Sequence, residues 1–234
     1  MMGAGIFGRC ADAPPPATIL GARLKRHYQT TSFASPNRSF IDSVIPETLT
    51  EGGSPSALTT PHGNVAVGCL STHGYDGGAT DSTAYQNLLI FGGFKIPTDL
   101  ATAPFDVHYV AGGWQLYVNP SDTKAHFFGG TASTGEAVSN GNVMDNAWHR
   151  FVAHWTNDGS AGVGKLWIDG TLQTTQQISA GNLAASAMIE VGGFYSATGS
   201  EIAMTSTGWA AGIAGTGFSQ ADIDAVNAYL AWWI

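Results

Sequence analysis

Trp148-His149-Arg150-Phe151-Val152-Ala153-His154-Trp155, followed after a polar, Gly-rich gap by Gly164-Lys165-Leu166-Trp167-Ile168-Asp169-Gly170-Thr171-Leu172, is the stretch whose reading decides the fold. Side chains alternate along a strand. His149, Phe151, Ala153 and Trp155 therefore share one face, and Trp148, Arg150, Val152 and His154 the other. In the second segment Leu166 and Ile168 point one way while Lys165 and Trp167 point the other. Asp169-Gly170 supplies the two positive-φ positions of a tight hairpin, so the chain reverses at residue 169. The two segments read as consecutive strands of an antiparallel sandwich.

Composition agrees. A chain of 234 residues with 31 glycines and only 11% charged residues suits one turn-rich β domain and argues against a helical bundle. With 44% hydrophobic residues the chain is not a disordered one. Its longest apolar candidate, Leu88-Leu89-Ile90-Phe91, breaks at Gly92-Gly93 and falls far short of the ~20 residues that span a bilayer. No membrane insertion is expected. The N-terminus lacks the basic and apolar regions of a secretory signal. Cys10 and Cys69, the two cysteines, do not establish a disulfide, and Asn37-Arg38-Ser39 matches a glycosylation acceptor that needs an export route.

Charge divides the chain. Residues 1–38 hold five of the nine basic residues against one acid, and the remainder holds four basic and 16 acidic residues, a local −12. Arg9, Arg23, Lys25 and Arg26 in this basic end are candidates for docking on an acidic partner or a neighbouring copy; an edge strand blunted by Arg23 and Lys25 is the alternative. A sequence pI of about 5.1 without a basic stripe disfavours nucleic acid as a partner.

Pro14-Pro15-Pro16, within an N-terminal arm of residues 1–18, reads as a stiff spacer that breaks regular structure ahead of the first strand. Residues 19–234 are expected to form one domain, with 36–64 rich in loops. From Asp76-Gly77-Gly78 onward, turn residues come at the short intervals of a sandwich or jelly roll. Near the other end, Ser219-Gln220-Ala221-Asp222 approximates a capping box, and Phe218 and Ile223 stand where a hydrophobic staple would. Ile223, Val226, Tyr229, Leu230 and Trp233 then recur at helical spacing, which predicts a C-terminal helix packed on the sandwich.

A Trp-His pair opening a strand, a polar Gly-rich loop, then Leu-aromatic-Ile-Asp-Gly resembles the laminin-G-like and pentraxin-like group of concanavalin A-like sandwiches. Gly113-Trp114-Gln115-Leu116-Tyr117-Val118 resembles the group's central strand, ahead of a turn and Ala125-His126-Phe127-Phe128. Ile189-Glu190-Val191-Gly192-Gly193 resembles its late strand. The resemblance covers about residues 85–234; further upstream only Ile19-Leu20-Gly21-Ala22-Arg23-Leu24 aligns, as a strand. It implies an all-β, antiparallel two-sheet β-sandwich of the concanavalin A-like jelly-roll type with a short C-terminal α-helix. It also implies calcium as a possible cofactor, held by loop oxygens, for which Asp76 and Asp81, or Asp158 with Asn157, are the candidates. Asp169 is accounted for by its turn alone.

Enzymatic chemistry finds little purchase in the sequence. Glycosidases need two carboxyl groups about 5–10 Å apart, yet Glu47, Glu51, Glu136, Glu190 and Glu201 stand isolated. Asp158-Gly159-Ser160-Ala161-Gly162 is a hairpin loop rather than a nucleophile elbow. His149 and His154, an odd number of residues apart, face opposite sides of one strand and share no metal; no Cys/His spacing suits zinc. Trp167, Trp114 and Tyr117, with Tyr195 and Trp209, are candidate glycan platforms, the alternative being core filling. These readings point to a non-catalytic interaction protein of a larger assembly. The resemblance implies work outside cells, most simply on a bacteriophage virion among capsid or tail proteins and further copies of itself, with host surface glycans as possible ligands. A stand-alone, secreted carbohydrate-binding protein and a glycoside hydrolase are the alternatives.

Overall fold

The computed structural model describes residues 13–29, 41–42, 50–51, 56–69, 74–77, 86–98, 105–109, 114–129, 135–157, 161–179, 189–193, 202–212 and 217–234. The decisive hairpin is present. Trp148–Asn157 pairs antiparallel with Gly162–Ile168, from Phe151 opposite Ile168 to Asn157 opposite Gly162. Asp169 (φ 52°) and Gly170 (φ 82°) then turn the chain so that Thr171–Leu172 pairs back on Ile168 and Trp167. Both positive φ values are those a type I′ turn requires.

Among the described residues the strands form two antiparallel sheets. In the ten-stranded sheet the order runs Thr171–Leu172, Gly162–Ile168, Trp148–Asn157, Asn87–Lys95, Ile202–Gly212, Leu24–Gln29 and Ile41–Asp42. Gln177–Ser179 also pairs with Gly162–Ile168, and the hairpin Ser56–Thr59/Val65–Cys69 joins beside Ile202–Gly212. The seven-stranded sheet runs Ala137–Val138, Lys124–Gly129, Trp114–Asn119, Phe105–Tyr109, Ile189–Gly193, Gly74–Gly77 and Thr50–Glu51. The fold is therefore the expected β-sandwich with one C-terminal helix, Gln220–Trp233.

Alternation sorts the apolar residues into two layers. Leu88, Ile90, Phe151, Ala153, Trp155 and Leu166 face Trp114, Leu116, Val118, Ala125 and Phe127 of the other sheet, forming the inner core. On the opposite face of the ten-stranded sheet, Leu89, Phe91, Val152 and Trp167 meet Leu20, Phe218, Ile223, Val226, Leu230 and Trp233. The run Leu88-Leu89-Ile90-Phe91 is apolar throughout because both faces of its strand are covered. Gly92 and Gly93 do not end it. The strand continues to Lys95, paired with Trp148–Asn157 and Ile202–Gly212, and glycine is needed within it: a Cβ on Gly92 would stand 2.7 Å from Thr207 Oγ1 and 2.9 Å from the Phe151 ring, and one on Gly93 would meet Thr205 Oγ1 and stand 2.7 Å from Ile234. These glycines mark close approach, not a turn.

The C-terminal helix begins as its sequence predicts. Ser219 Oγ accepts from the Asp222 N–H at 3.2 Å, and Asp222 Oδ2 accepts from the Ser219 N–H at 2.8 Å, which closes the capping box. At its other end Asn64 Nδ2 donates to the carbonyls of Trp232 and Trp233, so the Ser56–Cys69 hairpin satisfies the last turn. Two histidines lie in the layer beneath this helix. His27, between Phe91 and Tyr229, is driven by burial to a pKa of about 3. His154, edge-on to Phe218, is lowered to about 4 by burial and then by the Lys165 charge.

The N-terminal segment departs from the expected spacer and strand. Pro16 opens the helix Pro16–Leu20 instead of breaking structure, since a proline in the first helical turn gives up an N–H that has no helical partner there. Pro16 and Leu20, four apart, are its buried residues. Ile19–Leu24 is consequently not a strand: the helix passes into a 3-10 turn at Gly21–Arg23, and the strand starts at Leu24. Arg9, Cys10 and the rest of residues 1–12 lie outside the described residues.

Candidate functional site

The outer face of the seven-stranded sheet is where alternation assembles chemistry. In Trp114–Asn119, Trp114, Leu116 and Val118 are buried in the core, which turns Gln115, Tyr117 and Asn119 outward. In Lys124–Gly129, Ala125 and Phe127 point inward and Lys124, His126 and Phe128 outward. Register places Tyr117 opposite His126. Their rings stack with centroids 5.0 Å apart and planes 22° from parallel, and Phe128 meets Tyr117 edge-on at 6.5 Å.

Two carboxylates complete the patch. Glu136, just before Ala137–Val138, accepts the Tyr117 hydroxyl at 2.9 and 3.0 Å, and its Oε2 lies 2.6 Å from His126 Nδ1. Asp122, in the turn between the two strands, lies on the other side of the ring, with Oδ2 3.0 Å and Oδ1 3.2 Å from Nε2. That turn is fixed by Thr123 at φ 62°, by the Thr123 N–H to the Asn119 carbonyl, and by Asp122 Oδ1 accepting the Lys124 N–H. His126 is 7% exposed and both its nitrogens are engaged; Tyr117 is half-buried. The patch thus offers an aromatic platform with a fixed hydroxyl and two acceptor groups at its rim.

A second imidazole is bracketed in the same way at the 169 turn. His149 Nδ1 lies 2.7 Å from Asp169 Oδ2, and Nε2 3.1 Å from Asp145 Oδ1. Burial opposes a charge on His149, but the bonds to Asp169 and Asp145 outweigh it and raise its pKa. Burial likewise opposes ionisation of Asp169 and of Asp145. For Asp169 the His149 bond and the Arg150 N–H win, and for Asp145 the Ala147 N–H and His149, so both carboxyls fall below the ordinary range. Asp169 therefore does more than form its turn: it also holds His149 and, through Oδ1, the Arg150 N–H at 3.0 Å.

The other sequence candidates separate. Trp114 and Trp167 are each 4% exposed and cannot serve as glycan platforms. Alternation places Trp167 away from the inner core as expected, but the C-terminal helix and the Leu20 region cover that face. Trp114 points inward because it shares its side of the strand with Leu116 and Val118. Tyr117 alone of the three keeps accessible surface. Arg23 is engaged within the chain: it bonds Asp222 and the Gly217 carbonyl and, with its Cζ 5.0 Å from the ring centre, packs over Phe218. Lys25 is half-buried in Leu24–Gln29, and Arg26 stands in that strand opposite Trp209.

Asp76 sits in the strand Gly74–Gly77 opposite Glu190 and Thr50, not in a loop, because the neighbouring strands recruit it into the ladder. Asp81, Asp158 and Tyr195 lie outside the described residues. Among the described residues no three His, Cys, Asp or Glu side chains are arranged to hold a metal ion; in both bracketed histidines the ring separates its carboxylates. Glu136 is not isolated, which the sequence did not disclose. The signals for Asp122 and Asp145 are visible only in retrospect: each lies four residues before its histidine.

No family model and no curated protein matches the chain. Solved structures do. The botulinum neurotoxin serotype D binding domain superimposes with a TM-score of 0.66 at 12% identity, over 92% of this chain and 52% of that one. A botulinum neurotoxin type C structure, whose cell entry depends on interaction with two ganglioside molecules, gives 0.64 at 12%, over 91% and 52%. The Trypanosoma rangeli sialidase gives 0.59 at 11%, over 92% and 33%. The chain spans about half the length of these neurotoxin domains and a third of the sialidase. At such identities the likeness is one of fold: a β-sandwich.

Proposed function

We propose that this protein is a non-catalytic carbohydrate-binding sandwich whose ligand lies on the Tyr117 face. One observation carries the reading: Tyr117 stands outward on the sheet with its hydroxyl fixed by Glu136 and its ring stacked on His126. A rigid ring with acceptors at its rim is what a sugar needs, apolar C–H faces against the ring and hydroxyls against the carboxylates. The neurotoxin that engages gangliosides lends support through its shared architecture.

Binding is favoured over hydrolysis by the geometry of the acids. Asp122 and Glu136 lie on opposite sides of the His126 imidazole, so the ring fills the gap in which paired glycosidase carboxylates take the scissile bond. His126 also has no free nitrogen with which to transfer a proton to a substrate.

A glycan array with the full chain tests this reading, followed by calorimetry on the hits. Tyr117→Ala should weaken binding at least tenfold with its thermal unfolding still cooperative, while Trp232→Ala, at an exposed aromatic on the helix, should leave affinity unchanged. Equal binding by Tyr117→Ala would remove the site.

The wider setting we propose is display on a virion or comparable particle, with kinship to laminin-G-like modules. The support is the charge contrast between residues 1–38 and the acidic body. Mass spectrometry of purified particles checks it, and consistent absence of the protein from them would end it.

A further inference from the structure

We infer that the Tyr117 site takes uncharged sugars and rejects carboxylated or sulfated ones, an inference that rests on the carbohydrate-binding reading above. Asp122 and Glu136, with side chains 41% and 27% exposed, flank the platform. Ionised carboxylates only accept hydrogen bonds, so they call for ligand O–H or N–H donors and repel a second carboxylate.

Among the described side chains no guanidinium stands at this face to reverse that preference. Recognition of a sugar carboxylate is served best by a bidentate guanidinium. Arg150 is the only arginine between residues 39 and 234. It stands at the other sheet's 169 turn, where its guanidinium donates to the Asp169 carbonyl at 2.9 Å. Arg23 is bound to Asp222 beside the C-terminal helix. Lys124, on the same face as His126, stands on a body that carries −12. A sialylated or sulfated ligand therefore meets a field of its own sign, whereas a neutral sugar can place adjacent hydroxyls on the Asp122 rim while its apolar face covers Tyr117.

The test uses the full chain and pairs of glycans that differ only in a terminal sialic acid or sulfate, titrated calorimetrically at pH 7.5 and fixed salt. The neutral member should bind at least tenfold more tightly, and Asp122→Asn and Glu136→Gln should each narrow that ratio. Equal or tighter binding of the charged member would overturn the selectivity and leave the carbohydrate reading standing. No binding of either member would overturn both, and a ratio unmoved in both variants would remove it from these carboxylates.

Discussion

The Arg23 guanidinium and the Asp222 carboxylate, 199 residues apart in the chain, meet through hydrogen bonds of 2.9 and 3.1 Å. Arg23 ends the first turn of structure before the sheet, and Asp222 closes the capping box of the last helix, so one ion pair ties the beginning of the described fold to its end. Burial opposes the charge on Asp222, but Arg23 and the Ser219 N–H outweigh it and hold its pKa below the usual carboxylate range. Arg23→Ala should cost about 1–2 kcal/mol, the sum of a partly exposed pair and a cation–π contact. Asp222→Ala should cost more, since the reciprocal half of the capping box, the Ser219 N–H to Asp222 Oδ2, is lost as well. Urea denaturation of both variants checks the order; an Arg23→Ala protein as stable as the parent would show that the pair contributes nothing.

Gly162 lies directly against the buried indole of Trp155, with no room for a Cβ. Gly162→Ala must push Trp155 out of its place in the inner core and should destabilise by about 1–3 kcal/mol or more. Gly141→Ala, where nothing stands within 4 Å, should change stability by less than about 0.5 kcal/mol. Comparable melting temperatures for the two would refute the packing argument.

Acid should loosen the helix-covered layer. His27 and His154 have folded pKa values of about 3 and 4 against 6.5 when unfolded, so between these limits the unfolded state binds more protons. Their contribution is complete above pH 6.5 and falls by about 1.4 kcal/mol per histidine for each pH unit below it, until the folded pKa is reached. His27→Phe should therefore narrow the loss of stability between pH 7.5 and pH 5. Identical pH dependence in the variant and parent would exclude His27 as a source.

His149 carries the opposite sign. Its folded pKa is raised by Asp169 and Asp145, so its stabilisation is present below the unfolded value and is lost as pH rises through the folded one. His149→Gln should accordingly cost more at pH 5.5 than at pH 9, measured by denaturant midpoints. An equal cost at both values would mean that the bracket acts only by packing.

Local patterns in the sequence were enough to determine the Trp148–Leu172 hairpin, the Asp169-Gly170 turn, the capping box at Ser219 and the apolar stripe of the last helix. Each depends on residues within a few positions of one another, where alternation, turn chemistry and helical period act directly. What only the tertiary structure decided is what each face meets. Alternation correctly turned Trp167 away from the inner core, yet could not disclose that the helix from residues 220–233 covers it. Nor could it bring Glu136 and Asp122 to opposite sides of His126, or Arg23 to Asp222. Strand geometry fixes the side on which a residue stands; its partners there depend on the register of other strands and the packing of distant segments, and the Tyr117 site is made of such partners.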